Sequence, residues 1–573
     1  MAGIAKTFDY LVPPAMAADV RVGTMVRVPL AGRRIGGWVV ALGGDAATDR
    51  PLQPLAKVTG WGPPADLVDL ADWAAWRWAG RRSAFLKTAS PPGAVRGLPP
   101  PRSDGRLLEP TDGDLFDRPG GLVVVRTPPG ADVLPIALEA ARREDALILA
   151  PSLSAAGLLA ARLRRAGVRV AELPRDWAVA AAGGCVAVGA RAGAWAPRPR
   201  LGAVLVLDEG DEAYQEERAP TWNARDVAVE RARRAGVPCV LTGAVPSLDA
   251  LARPGIEVLV PSRTAERAGW PIVEVVDRRD EPPGSGLYSS RLVALVREAG
   301  PDRRVVCVLN RKGRAPLLAC VACRELARCE VCAGPVADAG VAGDAGVGTL
   351  ACRRCGAVRP VVCTACGGTR MKALRVGVTR AREELELLAG RPVAEVTGGD
   401  GATRVPDAAV LVGTEAVLHR VAVAHAVAFL DFDQELLAPR HTAGEQAFGL
   451  LARAARLVGG RDVAPSGRVL VQTRLPGHEV VDAALHADPS RFTVVESARR
   501  AALRLPPETA MALVSGEAAP AFVAALGPGV EVLGPADGRW LVRAPDHAVL
   551  ADALAAAGRP PGRLRVEVDP RRV

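Results

Sequence analysis

Residues 320–366 contain four cysteine pairs of the form C-x2-C, written CVAC (320–323), CEVC (329–332), CRRC (352–355) and CTAC (363–366). Two thiolates from one tight turn can reach a zinc ion at about 2.3 Å, and two such turns complete a tetrahedron. The spacing therefore predicts two four-cysteine zinc sites, which are structural because a closed site leaves no position for a reacting water. Spacing alone leaves open which pairs share a metal, and iron–sulfur clusters or metal-free thiols are the alternatives.

Strand-like apolar runs alternate with Ala- and Arg-rich helical segments on both sides of the cysteine pairs. The runs are LVVV (122–125), ALILA (146–150), AVLVLDE (203–209), PCVLTG (238–243), AAVLVGTEAVL (408–418) and AVAFLDFD (426–433). Such alternation predicts parallel sheets with helices on their faces. We therefore expect a multidomain α/β chain with two α/β lobes, the second of which is interrupted by the cysteine module.

The segments outside the two lobes have a different character. Short strands separated by turns predict a small β-rich N-terminal domain, and the final segment, which ends on LRVEVDP (564–570), predicts an α+β domain. We place the domains at 1–90 (N-terminal), 91–119 (Pro-rich linker), 120–265 (first lobe), 266–318 with 368–488 (second lobe), 319–367 (zinc module) and 489–573 (C-terminal).

Composition narrows the functional classes. Lys and Arg number 73 against 63 Asp and Glu, and the net charge of +10 permits a polyanionic partner such as nucleic acid without requiring one. No apolar run has the length that a membrane span needs, and the N-terminus lacks a secretory signal, so we expect a cytoplasmic protein. In a reducing compartment, clustered cysteines are metal ligands rather than disulfides.

Segments along almost the whole chain, in order, resemble one family. They are FDYLVP (8–13), LVLDEGDEAYQ (205–215), LTGAVPSLDA (241–250), VVCVLNRKGRAPLLAC (305–320), LVGTEAVLHR (411–420), LDFDQELLAPRHTAGEQAFGLL (430–451), GRVLVQTRLPGHEVV (467–481) and VEVLGPADGRWLVRAP (530–545). The chain is thereby identified as similar to the primosomal protein N′ family, the PriA-type replication restart helicases. The resemblance implies two RecA-like helicase lobes and a location at replication forks in the nucleoid.

The resemblance also implies how the cysteines share their metals. In the family two zinc ions are held in a nested arrangement. Carried over to this chain, Cys320, Cys323, Cys363 and Cys366 form an outer site, and Cys329, Cys332, Cys352 and Cys355 form an inner one. Sharing between adjacent pairs remains the alternative that the residues leave open.

For the N-terminal domain, the resemblance implies capture of the 3′ end of a nascent DNA strand by Phe8, Asp9 and Tyr10, with Lys57 as the basic contributor. An aromatic ring offers a stacking face and a carboxylate accepts from a terminal hydroxyl. Phe8 and Tyr10 are alternatively core residues. The chain begins only seven residues before this motif, which indicates a missing first strand or a misassigned start, and the segment after the domain is too short for the family's winged helix.

The phosphate-binding loop departs from the family pattern. A helicase lobe needs a glycine-rich loop ending in G-K-[ST], whose amides and Lys hold the phosphates and whose hydroxyl binds magnesium. The matching stretch, RTPPGADV (126–133), keeps only Gly130. Ala131 replaces the Lys and Asp132 the Thr, while two prolines remove amide donors.

Three further nucleotide motifs have also changed. Asp208 and Glu209 remain of the acidic motif that orders magnesium and water, but Gly-Asp follows them instead of Glu-His. Gly-Ala-Val (243–245) replaces Ser-Ala-Thr, and RAARLVGG (453–460) replaces the arginine-containing QVAGRAGR. The arginines expected near the γ-phosphate are absent at their positions, although Arg456 and Arg461 lie one residue away. The joint loss predicts that ATP turnover is abolished.

We therefore expect a protein that recognises stalled or repaired replication forks and helps to reload the replicative helicase, descended from helicases but without helicase activity. The expected cofactors are two zinc ions, while the substitutions argue against ATP and Mg2+. The expected partners are forked DNA with a nascent 3′ end, single-strand-binding protein and primosome or helicase-loading proteins, with no membrane. An active ATP-dependent 3′–5′ DNA helicase with an unconventional nucleotide site is the alternative, and a protein-binding zinc module without a DNA role is the third.

Overall fold

The structure is a computed structural model, and it describes residues 6–43, 51–101, 115–118, 120–281, 286–310, 317–342, 347–352, 355–374, 378–396, 405–462 and 467–572. The chain forms two compact units. The first comprises Met1–Val125, Asp132–Leu259 and Arg504–Pro570, and the second comprises Arg126–Ala131, Val260–Leu503 and Arg571–Val573. Over the described residues, no helix is long and apolar enough to cross a membrane.

The N-terminal part of the first unit is an antiparallel sheet followed by two helices. After a 3-10 turn at Pro14–Asp19 come β1 (Met25–Leu30), β2 (Arg33–Trp38), β3 (Lys57–Gly60), α1 (Ala65–Arg77) and α2 (Arg82–Ala89). The strand order is β2-β1-β3, and β1 turns Val26 and Val28 inward and Arg27 outward, as a half-buried strand does. Trp78, at the end of α1, is fully buried and belongs to the helix core.

A seven-stranded sheet follows in the same unit, with the order β10-β4-β9-β8-β5-β7-β6. Its strands are β4 (Leu122–Arg126), β5 (Leu147–Leu149), β6 (Val170–Glu172), β7 (Val186–Gly189), β8 (Val204–Val206), β9 (Cys239–Gly243) and β10 (Glu257–Leu259). Its helices are α3 (Leu134–Ala140), α4 (Leu153–Arg165), α5 (Trp177–Ala182), α6 (Ala224–Ala235) and α7 (Leu248–Leu251), with 3-10 turns at Arg191–Trp195 and Glu212–Tyr214. The central strands are Val- and Leu-rich runs buried on both faces, as a parallel sheet between helices requires.

The second unit contains a six-stranded parallel sheet with the order β11-β21-β20-β12-β19-β18. Its elements before the cysteine module are α8 (Arg263–Ala268), β11 (Ile272–Asp277), α9 (Ser290–Arg297) and β12 (Val305–Val308). The module supplies β13 (Leu317–Cys320), β14 (Val336–Ala342), β15 (Val347–Cys352), β16 (Val358–Pro360) and β17 (Met371–Leu374). The sheet resumes with α10 (Val378–Ala389), β18 (Val393–Val396), β19 (Val410–Gly413), α11 (Ala416–Arg420), β20 (Ala426–Phe429), α12 (Asp433–Leu436), α13 (Ala443–Val458), β21 (Arg468–Thr473), α14 (Glu479–Leu485) and α15 (Pro489–Leu503).

The C-terminal segment returns to the first unit as a four-stranded antiparallel sheet, ordered β23-β24-β22-β25. Its elements are β22 (Ala510–Ser515), α16 (Ala519–Ala524), β23 (Glu531–Ala536), β24 (Arg539–Ala544), α17 (His547–Ala556) and β25 (Arg565–Val568). The expected start of the C-terminal domain at 489 coincides with α15, a helix of the second unit in which Phe492 packs on Phe448 of α13. The domain boundaries stay a prediction, and part of the Pro-rich linker, 102–114, lies outside the described residues.

Candidate functional sites

The eight paired cysteines form two separate clusters. One contains Cys320, Cys323, Cys363 and Cys366, the other Cys329, Cys332, Cys352 and Cys355, and within each cluster the Sγ atoms all lie within 4.8 Å of one another. The closest Sγ–Sγ distances are 3.5 to 3.6 Å. Four thiolates bound to one zinc at about 2.3 Å lie roughly 3.8 Å apart, so both donor sets fit a tetrahedral zinc ion. The grouping is the nested one, in which the outer pairs enclose the inner pairs along the chain.

One backbone turn, repeated four times, places these thiols. In each pair the first cysteine's carbonyl accepts from the amide four residues on, at 2.9 to 3.0 Å, and its own amide donates to the carbonyl five residues on, at 2.8 Å. The residue four positions after the first cysteine has a left-handed backbone in every turn. Those residues are Arg324 (φ 63°), Ala333 (φ 54°), Gly356 (φ 76°) and Gly367 (φ 73°). Gly356 and Gly367 are the sequence signal for this turn, since glycine adopts that conformation without strain.

The module has only a small apolar core besides its thiols. Val336 and Leu350 are buried beside Cys329, Cys332 and Cys352. A core of this size cannot stabilise a fold by hydrophobic burial alone, so metal ligation and folding are coupled in modules of this kind. The two clusters could each hold a metal ion, and the donor chemistry suits zinc.

The loop after β4 packs within the second unit, backbone against backbone. The Gly130 amide donates to the Gly269 carbonyl at 3.2 Å, and the Ala131 amide donates to the Pro128 carbonyl at 2.9 Å. A Cβ atom at Gly130 would lie 3.3 Å from the Gly269 oxygen, and one at Gly269 would overlap Pro128. Pro128 and Pro129 have no N–H, and the amides of Gly130 and Ala131 are already bonded to carbonyls, so four consecutive positions of the loop offer no free amide to a phosphate.

The two arginines near the degenerate final motif also contact this region of the second unit. Arg456 Nε donates to the Pro129 carbonyl at 3.2 Å. The Arg461 amide donates to the Ala268 carbonyl at 2.9 Å, and a Cβ at the neighbouring Gly460 would collide with that same carbonyl. Glycines at 130, 269 and 460 thus allow the backbones to meet closely, a relation between distant positions that no local motif signals.

Asp132, the residue in place of the magnesium-binding Thr, has a partner in the first unit. It accepts from both terminal nitrogens of Arg162, at 2.8 and 2.6 Å, and from the Leu134 amide at 3.0 Å. The hydrogen bond from Arg162 lowers the pKa of Asp132, and burial opposes it. The carboxylate therefore stays charged at neutral pH, and its hydrogen bonds are made to Arg162 and to the Leu134 amide at the start of α3.

Glu209, of the acidic pair, is buried and fully engaged by protein groups. One carboxylate oxygen accepts from the Ser247 amide at 2.6 Å, and the other accepts from the Ser247 hydroxyl at 2.8 Å and from Arg225 at 3.1 Å. Its side chain has no exposed surface. Asp208 has a left-handed backbone (φ 48°), and Asp211 caps the following 3-10 turn through the Ala213 amide at 2.8 Å. Glu209 of the acidic pair is thus part of a structural network with Ser247 and Arg225 in the first unit.

The N-terminal residues expected at a 3′ end have different surroundings. Phe8 is 44% exposed, and Asp9 and Lys57 are also exposed. Tyr10 is half-buried and its hydroxyl donates to the Pro29 carbonyl at 2.9 Å, so this side chain packs in the small domain. The adjacent Leu11 bridges the backbone at Pro54, three residues before Lys57.

A buried acidic side chain of the second lobe was not singled out from the sequence. Asp433, in the segment that resembles the family, is fully buried and accepts from the Arg474 amide at 3.0 Å and from the Thr473 hydroxyl. Burial and the charge of Asp431 raise the pKa of Asp433 to about 7, although Thr473 and Arg474 lower it. Thr473 and Arg474 lie about forty residues after Asp433 in the sequence. No local sequence pattern predicts that they contact it.

Comparison with known proteins agrees with this architecture. Residues 1–91 match the family description "3′DNA-binding domain (3′BD)" of PriA. The probable replication restart protein PriA of Mycobacterium tuberculosis (strain ATCC 25618 / H37Rv) is 28% identical over 90% of this chain and 85% of its own length. That of Mycobacterium leprae is 28% identical over 98% of this chain and 93% of its own length. The Saccharomyces cerevisiae Dbp5 structure bound to RNA and ADP BeF3 matches 68% of this chain and 90% of its own at 10% identity and a TM-score of 0.37.

The chain has two α/β lobes, each built on a parallel sheet, and the second carries an insertion with four cysteine pairs. Together with the match of residues 1–91 to a 3′ DNA-binding domain, this architecture defines a helicase-like protein with RecA-type lobes. The chain is similar to the PriA replication restart proteins along nearly its whole length, and its N-terminal residues match their 3′ DNA-binding domain. The resemblance and the fold class that the sequence predicts are therefore confirmed.

Proposed function

We propose that this chain recognises stalled or repaired replication forks and helps to reload the replicative helicase without hydrolysing ATP. The observation that carries the proposal is the state of the nucleotide elements. The Gly130 amide is bonded to Gly269, two prolines remove further donors, and Glu209 is enclosed by Ser247 and Arg225. The Lys and Thr that would bind phosphate and magnesium are missing, and the Gly130 amide and the Glu209 carboxylate both have protein partners.

The cysteine clusters supply the second part of the proposal. We assign a zinc ion to each four-thiol set, with Cys320, Cys323, Cys363 and Cys366 as outer ligands and Cys329, Cys332, Cys352 and Cys355 as inner ligands. Both ions are structural, because four thiolates complete the coordination shell. The folded module then presents a surface for single-strand-binding protein and primosome or helicase-loading proteins, which is the role that similarity to the PriA proteins supports.

For DNA, the proposal places the 3′ end of the nascent strand at Phe8 and Asp9. An exposed phenyl ring can stack on a terminal base, and a carboxylate can accept from a free 3′ hydroxyl. Lys57 would neutralise a phosphate. Tyr10 contributes through packing, since its hydroxyl is bonded to Pro29.

ATP hydrolysis by zinc-replete protein, with and without forked DNA, decides between the scaffold and the active helicase. We expect no turnover above background under either condition. Fork-stimulated hydrolysis that disappears in Glu209→Gln would contradict the proposal and establish the alternative, a 3′–5′ helicase with an unconventional nucleotide site.

Fork binding separates both DNA readings from a module that binds only proteins. We expect the chain to bind a fork with a free 3′ hydroxyl more tightly than the same fork ending in a 3′ phosphate. Phe8→Ala should weaken binding by ~1–3 kcal/mol, the contribution of one stacked base. Leu42→Ala is the matched control, because Leu42 is another exposed apolar residue of the same domain. Equal affinity for both forks in fluorescence anisotropy would exclude 3′-end recognition.

A further inference from the structure

A cavity of about 670 Å³ lies within the first unit, away from the sites described above. Its walls come from the N-terminal sheet region, the start of α1, α5, the segment around 197–201 and the end of α6. None of Phe8, Asp9, Tyr10 and Lys57 lines it, and neither does any residue of the loop after β4 or of the acidic motif. Its volume lies in the ~300–1,000 Å³ range typical of small-molecule sites.

A buried arginine with an unused nitrogen lines this cavity. Arg231 is 4% exposed, and its Nη1 donates to the Ala194 carbonyl at 2.8 Å. Its Nη2 is buried without a hydrogen-bond partner. Burial lowers the pKa of Arg231 to about 10, so the guanidinium remains charged at neutral pH. A buried cation with a free donor is unfavourable unless an anion completes its shell.

The other charged residues around the cavity indicate the charge and the geometry of the anion that would bind there. Arg198 is paired with buried Asp145 at 2.8 Å, and Arg234 is paired with Glu230 at 2.7 Å. Arg21 has no carboxylate within 4 Å among the described residues, and its guanidinium lies over the Trp61 ring. Asp66, at the start of α1, also lines the cavity and its charge acts on Arg231, but it lies beyond ion-pair distance. Arg21 and Arg231 are therefore the two lining arginines that no carboxylate of the described residues pairs with, and both are available to a ligand. Guanidinium groups match the geometry of phosphate and carboxylate oxygens.

The remaining wall is mostly apolar and includes two indoles. Trp61 is half-buried, and Trp177 is buried with its Nε1 donating to the Ala89 carbonyl at 2.9 Å. Because that donor is already used, Trp177 offers only apolar surface. Leu70, Leu98 and Leu201 extend this wall. Planar aromatic rings are the groups that indole faces and aliphatic walls bind well.

From these features we infer that the cavity binds a nucleoside monophosphate, with its phosphate at Arg231 and Arg21 and its base against the tryptophan and leucine wall. A dianionic phosphate ester matches two free guanidiniums better than a single carboxylate does. The nucleotide is either free in solution or an unpaired unit of a DNA strand. The inference uses none of the residues on which the proposed function rests.

Isothermal titration of the full-length, zinc-replete chain with dAMP tests the inference. We expect saturable binding at one site, and binding at least about tenfold weaker for deoxyadenosine or inorganic phosphate alone, because a charge-assisted hydrogen bond is worth that much in affinity. Arg231→Met should weaken dAMP binding by a similar factor. Arg233→Met is the matched control, since Arg233 is on the same helix but does not line the cavity.

A second variant tests the inference independently if Arg231→Met does not fold properly. Ala235→Trp fills the cavity from an exposed position at the end of α6 and should also weaken dAMP binding. Competition by single-stranded hexadeoxyadenylate would assign the site to an unpaired DNA unit, and its failure to compete would assign it to the free nucleotide. The absence of saturable dAMP binding, or binding unchanged in both variants, overturns the inference even if fork binding is intact.

Discussion

The cysteine module and the loop after β4 both correspond to ligand-binding motifs of the family, but their ligand-binding groups have different surroundings in the structure. In the module every thiol of the four pairs converges on one of two donor sets. In the loop, the surviving Gly130 amide bonds to Gly269 and the prolines pack on the neighbouring backbone. One motif retains groups directed at a ligand, while the other has those groups satisfied by protein.

The difference shows what it takes to lose a ligand site without losing a fold. A phosphate-binding loop consists of backbone donors, which can be satisfied by a carbonyl when the backbones approach closely. A four-thiol cluster has no such substitute, because thiolates brought together without a metal repel one another and the small module core cannot hold them. A loop can therefore decay in place, whereas a cysteine module has to be kept whole.

The largest expected effect follows from breaking the module. Cys329→Ser should remove one of two bound zinc ions and unfold the inner turns, because structural zinc contributes ~10–16 kcal/mol to folding in small modules. Metal content by mass spectrometry and amide hydrogen exchange over 326–360 would report this loss. Cys185→Ala, which changes a buried cysteine outside the clusters, is the control and should retain two equivalents. Two zinc equivalents in Cys329→Ser would refute the ligand assignment.

The next effect tests whether the acidic pair is now structural. Glu209→Ala removes the buried carboxylate that accepts from the Ser247 amide and hydroxyl and from Arg225, which keeps its ion pairs with Asp226 and Asp249, and should destabilise the first unit by about 3 kcal/mol. Urea unfolding followed by tryptophan fluorescence isolates that unit, because Trp270 is the one tryptophan that lies in the second. The exposed Glu217→Ala should stay within about 0.5 kcal/mol. A stable Glu209→Ala protein would mean that the carboxylate is not a structural element.

Sequence reasoning reached the features that local spacing encodes. The four C-x2-C pairs, the Val-rich runs of β8 and β20 and the segments shared with the family are each visible in a window of a few residues. The contacts that disable the nucleotide loop join Gly130, Gly269 and Gly460, which are up to 330 positions apart. Such contacts depend on the tertiary fold of the second unit. The residues that flank a glycine in the sequence do not predict which distant residues contact it.

A smaller effect, on pH dependence, concerns the retained acidic segment of the second lobe. The folded protein holds the proton of Asp433 more tightly (pKa about 7) than an unfolded chain does, so stability falls as pH rises from about 4 to about 7. Asp433→Asn should remove ~2 kcal/mol of this loss. Hydrogen exchange of β21 at pH 5 and pH 8 measures it, with Asp462→Asn as the control, because Asp462 is an exposed acidic residue outside the cluster of Asp433, Thr473 and Arg474. An unchanged pH slope in Asp433→Asn would exclude this carboxyl as the titrating group.

The smallest expected effect comes from restoring the family's Lys and Thr in the loop after β4. The double substitution Ala131→Lys with Asp132→Thr restores the family residues but should leave ATP hydrolysis at background, because Gly130 stays bonded to Gly269 and the prolines still lack donors. Stability should change by less than about 1 kcal/mol, the worth of the exposed Asp132–Arg162 pair. An ATPase assay beside thermal unfolding measures both, and Ala131→Gln with Asp132→Asn is the control. Hydrolysis regained by the Lys–Thr variant alone would show that two side chains, and not the packed backbone, separate this loop from a working one.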